Sequence, residues 1–204
     1  MLRIALNGYG RIGRALLRAL FERGLESQLH VEAINETGDF TTLAHLTRFD
    51  STFGRFLGQV DIHEDVMQVR GQSIRLIGQK DFTQLPWKQL AVDVVVDCTG
   101  KAKKRILAEQ HLTAGAPRVL LSHPLETADL TVVYGVNHHL LGNQQIVSNA
   151  SCTTNCLAPL AQVLHTAVGI KQGLMTTVHA YTNDQNLLDK THNDLYGARA
   201  AAVS

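Results

Sequence analysis

The six residues Gly8-Tyr9-Gly10-Arg11-Ile12-Gly13 constrain this chain more than any others. They follow the apolar run Leu2-Arg3-Ile4-Ala5-Leu6, which reads as a buried strand. They open a helical pattern over residues 11–23 with Ile12, Leu16, Leu17 and Leu20 on one face. In a turn of this kind the first glycine makes the tight bend and the second lets the backbone approach a pyrophosphate. The third lets the helix pack closely on the strand. The helix start then offers unpaired N–H groups and the positive end of its dipole to an anion. GxGxxG alone is a weak signal, and the strand before it and the helix after it give it weight.

Such a unit places an acid at the end of its second strand, where it meets an adenosine ribose. The second strand reads over residues 31–34, and Glu36 stands just past it. Glu32 is the rival, but it lies inside the strand. A carboxylate at this point repels a 2′-phosphate, so the spacing favours NAD over NADP.

The alternation continues as far as residue 149. A short helix is expected over residues 40–46, antiparallel hairpins over 54–77 and a central strand over 92–96. A helix over 103–112 and strands over 119–121 and 131–134 follow. Strand–helix repetition predicts an α/β fold, a parallel sheet with helices on both faces.

Composition excludes several classes. A net charge of +1 is too small for a nucleic-acid binder acting by bulk charge. With 45% hydrophobic and 18% charged residues the chain is neither disordered nor fibrous. No run reaches the ~18 apolar residues of a membrane span, and MLRIALNGYG breaks into Asn-Gly too early for a signal peptide. Three cysteines in 204 residues make no disulfide framework. The expectation is a soluble, cytoplasmic protein.

The second informative stretch is Ser148-Asn149-Ala150-Ser151-Cys152-Thr153-Thr154-Asn155-Cys156, followed by a helical pattern with Leu157, Leu160, Ala161, Leu164 and Val168. Ser, Asn and Thr are helix-capping residues, so Cys152 falls in or near a first turn, where the dipole favours a thiolate. Cys156, one turn on, fits packing, and the pair is poorly placed for a bond. His179 ends Met175-Thr176-Thr177-Val178, which reads as a strand. A helix from Cys152 travels roughly 20 Å. A strand over 173–179 returns about the same distance, so His179 can lie beside Cys152 as a Cys–His pair requires. Pro159 falls within the helical pattern, which predicts a kink or a late helix start.

Other features read as structural. The run Lys101-Ala102-Lys103-Lys104-Arg105 is a solvated basic patch or a contact for a phosphate. His138-His139 lacks companions at ligand spacing, so no metal is expected. Trp87 after Pro86 reads as a packing residue.

With SNASCTTNC, a downstream TTVHAYTNDQ and an N-terminal NGYGRIGR, the chain closely resembles the phosphorylating glyceraldehyde-3-phosphate dehydrogenase family from end to end. The resemblance implies a Rossmann NAD-binding domain over residues 1–149 and the truncated start of an α+β catalytic domain over 150–204. It makes Cys152 the nucleophile and His179 the base. Gly8, Gly10, Arg11, Ile12 and Gly13 would hold the pyrophosphate, Glu36 the ribose, and Thr99 and Gly100 would line the cofactor crevice. Ser151, Thr153 and Thr182 match the family's phosphate-binding positions. The implied reactants are a small sugar-phosphate aldehyde, NAD and inorganic phosphate, in glycolysis or gluconeogenesis. The implied assembly is a homotetramer, with no nucleic-acid or membrane partner. Ser122-His123-Pro124, and Glu36 in place of the family's usual Asp, also resemble erythrose-4-phosphate dehydrogenase of pyridoxal phosphate biosynthesis. His179-Ala180-Tyr181-Thr182 resembles the glyceraldehyde-3-phosphate enzyme. A non-catalytic NAD-binding fragment is the alternative from another class, and the 204 residues alone are expected to lack turnover.

Overall fold

The computed structural model describes residues 1–202. It comprises two compact units, Met1–Thr166 and Ala167–Ser204. The first is built outward from β1 (Leu2–Asn7), whose residues from Ile4 on are buried. The glycine turn leads into α1 (Arg11–Glu22), and the chain returns through β2 (Leu29–Asn35) and α2 (Phe40–Arg48). A small hairpin, β3 (Phe49–Asp50) and β4 (Gly54–Arg55), is followed by the meander β5 (Val60–His63), β6 (Val66–Val69) and β7 (Gln72–Ile77). Then come β8 (Val94–Asp97), α3 (Arg105–Thr113), β9 (Val119–Leu121), β10 (Leu130–Thr131), β11 (Ile146–Ser148) and α4 (Cys152–Val168).

Nine strands form one sheet in the order β10-β11-β9-β8-β1-β2-β7-β6-β5, parallel from β10 to β7 and antiparallel beyond. This is the expected α/β Rossmann architecture. Alternation along β1 assigns its two faces. Ile4 and Leu6 pack with Leu17, Leu20 and Phe21 of α1, while Ala5 between them packs with Trp87, Val92 and Val95. A third cluster joins Ala108 of α3 to Val119, Leu121 and Ile146. Each fully buried Leu or Phe contributes roughly 1.5–3 kcal/mol by leaving water.

The structure departs from the sequence reading in five places. Ile12, expected on the apolar face of α1 with Leu16, Leu17 and Leu20, is 52% exposed. The strand expected over 131–134 stops at Thr131. Val132 and Val133 stay buried, and the Val133 N–H is taken by the Asn137 side chain instead of a neighbouring strand. Of the two outcomes expected from Pro159, a kink or a late start, the late start does not occur: the helix begins at Cys152 and runs through the proline, since one missing N–H removes only one bond. Cys156 is exposed rather than packed. Residues 173–179 form no strand, and Leu174 and Val178 lie fully in solvent. A lone extended segment has no ladder to stabilise it. Among the described residues, no helix is long and apolar enough to cross a membrane.

Candidate active site

Because β1, β2, β8, β9 and β11 run parallel, their carboxyl ends share one edge of the sheet. The chain order reverses direction between β1 and β8, and a crevice of this type takes ligands at that point. The glycine turn follows β1. Gly8 has φ +89°, and a Cβ there would lie 2.8 Å from the backbone nitrogen of Thr99. A Cβ on Gly13 would lie 2.4 Å from the Gly8 carbonyl oxygen, so turn and helix approach as closely as backbone allows. At Gly10 nothing stands within 4 Å of the Cβ position, and no side chain caps the start of α1. The uncapped N–H groups and the open space at Gly10 fit a pyrophosphate.

Glu36 reaches this turn from the end of β2. Its Oε2 accepts from the Tyr9 N–H at 2.9 Å and its Oε1 from the Thr37 N–H at 2.8 Å. Each oxygen keeps a lone pair for a ribose hydroxyl. The buried Tyr9 hydroxyl pairs with Thr47 Oγ1 at 2.9 Å, tying the turn to α2, and burial pushes its phenol far above the ordinary value. The Arg11 guanidinium points to Thr52 in the β3–β4 loop and to Asp50 at the end of β3, so Arg11 offers the crevice its backbone rather than its charge.

Thr99 and Gly100 follow β8. The Thr99 N–H and hydroxyl both donate to Asp97 Oδ1, at 2.9 and 2.7 Å. Asp97 Oδ2 accepts from Asn7 Nδ2 at 2.9 Å and faces His111 Nε2 at 3.1 Å. Asn35 Nδ2 donates to Asn7 Oδ1 at 2.8 Å, extending the chain of bonds across the ends of three adjacent strands. Burial pushes the Asp97 carboxyl up, but the bonds from His111, Thr99 and Asn7 together outweigh it and hold it below the ordinary carboxylate value. Burial also pushes the neighbouring Cys98 thiol up to about 11; a bond with Ser122 opposes the rise and the Asp97 charge adds to it.

Cys152 stands on the same edge, just after β11. The buried Ser148 hydroxyl donates to the His123 carbonyl at 2.9 Å and accepts from the N–H groups of Leu125 and Ala150. Ala150 takes φ 56°, turning the chain sharply, and the Asn149 N–H donates to the Leu121 carbonyl. Ser151 Oγ accepts from the Thr154 N–H at 3.0 Å and so caps α4. Asn155 Nδ2 donates back to the carbonyls of Asn149 and Ser151. Cys152 is thus the first residue of α4 and is exposed, with Ser151 and Thr153 on either side. A thiol so placed is a candidate nucleophile.

His179 and Thr182 lie in the second unit, both exposed. The Thr182 N–H donates to Gln185 Oε1, and its carbonyl accepts from the Gln185 N–H, closing a turn. In the basic run, Arg105 is engaged by Glu109, Asp129 and the Thr127 carbonyl, while Lys101, Lys103 and Lys104 are exposed. No group of His, Cys, Asp and Glu able to hold a metal exists among the described residues. The sequence reading missed Asn7, Asp97 and His111. For Asn7 and Asp97 the signal was a polar residue ending each of two apolar strands; His111, inside α3, carried none.

Residues 2–105 match the family model described as glyceraldehyde 3-phosphate dehydrogenase, NAD binding domain. Residues 151–204 match that of the same enzyme's C-terminal domain. The chain is 53% identical over 204 residues to a glyceraldehyde-3-phosphate dehydrogenase of Pseudomonas aeruginosa, covering all of this chain and 61% of that protein. It is 54% identical to one of Xanthobacter flavus, covering 99% and 60%. A Streptomyces coelicolor enzyme of the same name is 46% identical, with 98% and 60% covered. The chain therefore spans about three fifths of the length of these relatives. With a glycine turn, an acid after β2 and a helix-start cysteine on one sheet edge, and with an NAD-binding domain matched over half its length, the chain belongs to the glyceraldehyde 3-phosphate dehydrogenase family.

Proposed function

We propose that this chain serves the NAD-dependent, phosphorylating oxidation of glyceraldehyde 3-phosphate through a thioester on Cys152. The position of Cys152 carries this reading: first residue of α4, on the sheet edge that bears the glycine turn. Residues 1–149 act as the cofactor domain and 150–204 as part of the catalytic domain. The backbone of Gly8, Gly10, Arg11, Ile12 and Gly13 receives the pyrophosphate, Glu36 the ribose hydroxyls, and Thr99 and Gly100 wall the crevice. Bound NAD supplies the hydride acceptor.

The chain's own groups do the rest. The Cys152 thiolate adds to the aldehyde carbon and forms a hemithioacetal. His179 accepts the hydroxyl proton, so that oxidation of that carbon leaves a thioester on sulfur. The Cys152 N–H, in the first turn of α4, stabilises the oxyanion. Inorganic phosphate then attacks the thioester, releasing an acyl phosphate and the thiolate. The hydroxyls of Ser151, Thr153 and Thr182 bind the phosphate groups. We assign this chemistry to a homotetramer in the cytoplasm, as the family resemblance implies.

Kinetics of the complete enzyme with glyceraldehyde 3-phosphate, NAD and phosphate test the reading. Cys152→Ser lowers turnover by roughly a thousandfold or more while NAD still binds. His179→Asn lowers it by roughly a hundredfold. Turnover near wild type in the serine variant, or higher specificity for erythrose 4-phosphate, overturns the nucleophile or the substrate, respectively.

A further inference from the structure

Beneath the cofactor crevice lies a buried pair that the proposed chemistry does not use. The Trp87 indole N–H donates to His111 Nδ1 at 3.0 Å, and both side chains are wholly buried. Indole can only donate, so Nδ1 must be the bare nitrogen and the ring proton sits on Nε2. That proton points at Asp97 Oδ2, 3.1 Å away. Asn7 Nδ2, 3.3 Å from Nε2, gives its hydrogen to the same carboxylate, so the two nitrogens do not compete. Phe82 stacks on the ring at 4.8 Å and keeps it in plane.

Asp97 thus has four donors, two on each oxygen, and the pair on Oδ1 comes from the backbone and hydroxyl of Thr99. A buried carboxylate stays ionised only while such a shell is complete. We infer that Trp87 and His111 are positioning residues for cofactor binding: Trp87 confines the histidine proton to Nε2, and His111 completes the shell through which Asp97 clamps Thr99 at the crevice. Neither touches the cofactor. The inference deepens the reading that NAD binds at this crevice and rests on it for the affinity it expects.

The test separates the two readings by measuring the turn without cofactor. Histidine ¹⁵N spectra of the purified protein show His111 neutral with its proton on Nε2; a proton on Nδ1, or on both nitrogens, overturns the assignment. His111→Leu speeds hydrogen exchange of the Thr99 amide by about tenfold and raises the Kd for NAD by a similar factor. His111→Gln, whose amide supplies one acceptor and one donor, returns both to within about threefold of wild type. Unchanged Thr99 exchange in His111→Leu, or a glutamine variant no better than leucine, overturns the proposal. If the leucine variant does not fold, Trp87→Phe decides: it releases the ring proton to both nitrogens and speeds Thr99 exchange, and unchanged exchange there overturns the proposal equally. A wild type that fails to bind NAD but shows these exchange rates refutes the cofactor reading and leaves the clamp standing.

Discussion

The Glu36 carboxylate accepts the Tyr9 N–H at 2.9 Å, so the acid that ends β2 also fastens the middle of the glycine turn that follows β1. One side chain thereby sets both the shape of the pyrophosphate turn and the charge beside the ribose. Glu36→Ala should weaken NAD binding by roughly tenfold, since a bond to a charged acceptor is worth about 1.5–3 kcal/mol. NADP should lose less, because the repulsion of its 2′-phosphate disappears at the same time. Calorimetric titrations with both cofactors check this; an unchanged NAD-to-NADP ratio counts against the carboxylate.

The glycines of the turn separate stability from binding. Gly8→Ala forces a Cβ against the Thr99 backbone at a positive φ and should destabilise the protein by more than about 2 kcal/mol. Gly10→Ala meets nothing within 4 Å, so its cost should be the weaker cap, about 1 kcal/mol. Its Cβ fills the space left for the pyrophosphate, however, and NAD affinity should fall steeply. Thermal melts beside titrations distinguish the two outcomes.

Alkylation should sort the cysteines. Cys98 is half-buried with its thiol pushed up to about 11, whereas Cys152 and Cys156 are exposed. At pH 7 iodoacetamide should modify Cys152 first, since it alone stands at a helix start, then Cys156. Cys98 should react at least about tenfold more slowly, as its thiolate fraction dictates. Peptide mass spectrometry over a time course reads the order directly.

Acid should unfold the first unit through its depressed carboxyls. Asp97 is held below the ordinary value of 3.8, with burial opposing and the His111, Thr99 and Asn7 bonds prevailing. Asp129 is held down first by the Ile146 N–H and also by Arg105. The folded state then binds fewer protons than the unfolded chain near that pH. Their stabilisation is present above the unfolded value and is lost as pH falls through the folded one. Urea midpoints should hold between pH 7 and 5 and fall below about pH 4. Asp97→Asn should be less stable at pH 7 and flatter in its acid dependence.

The cofactor turn was legible in the sequence because its determinants are local: strand, glycines, helix and acid occur in chain order. The helix start at Cys152 was legible for the same reason, since Ser151 and Thr154 announce a cap that the structure forms. β11 was not. It has only three residues, and its place between β9 and β10 depends on partners rather than on alternation. The expected strand over 173–179 failed in the opposite sense: its β-forming residues are real, but a strand exists only where a neighbour completes its bonds. Trp87 was read correctly as a packing residue, yet its bond to His111 spans 24 positions and no local pattern reveals it.

The close seating of Gly8 on Thr99 bears on how the protein assembles. β1 pairs with β8 in parallel, and the Asn7–Asp97 bond that locks their ends joins residues 90 positions apart. Contacts of such separation form slowly, after the intervening chain has been organised. On a ribosome, the pyrophosphate turn near the amino terminus would wait for residues up to about 100 before its shape is fixed. NAD should therefore leave the refolding rate unchanged and slow only unfolding, trapping a finished domain rather than guiding its formation.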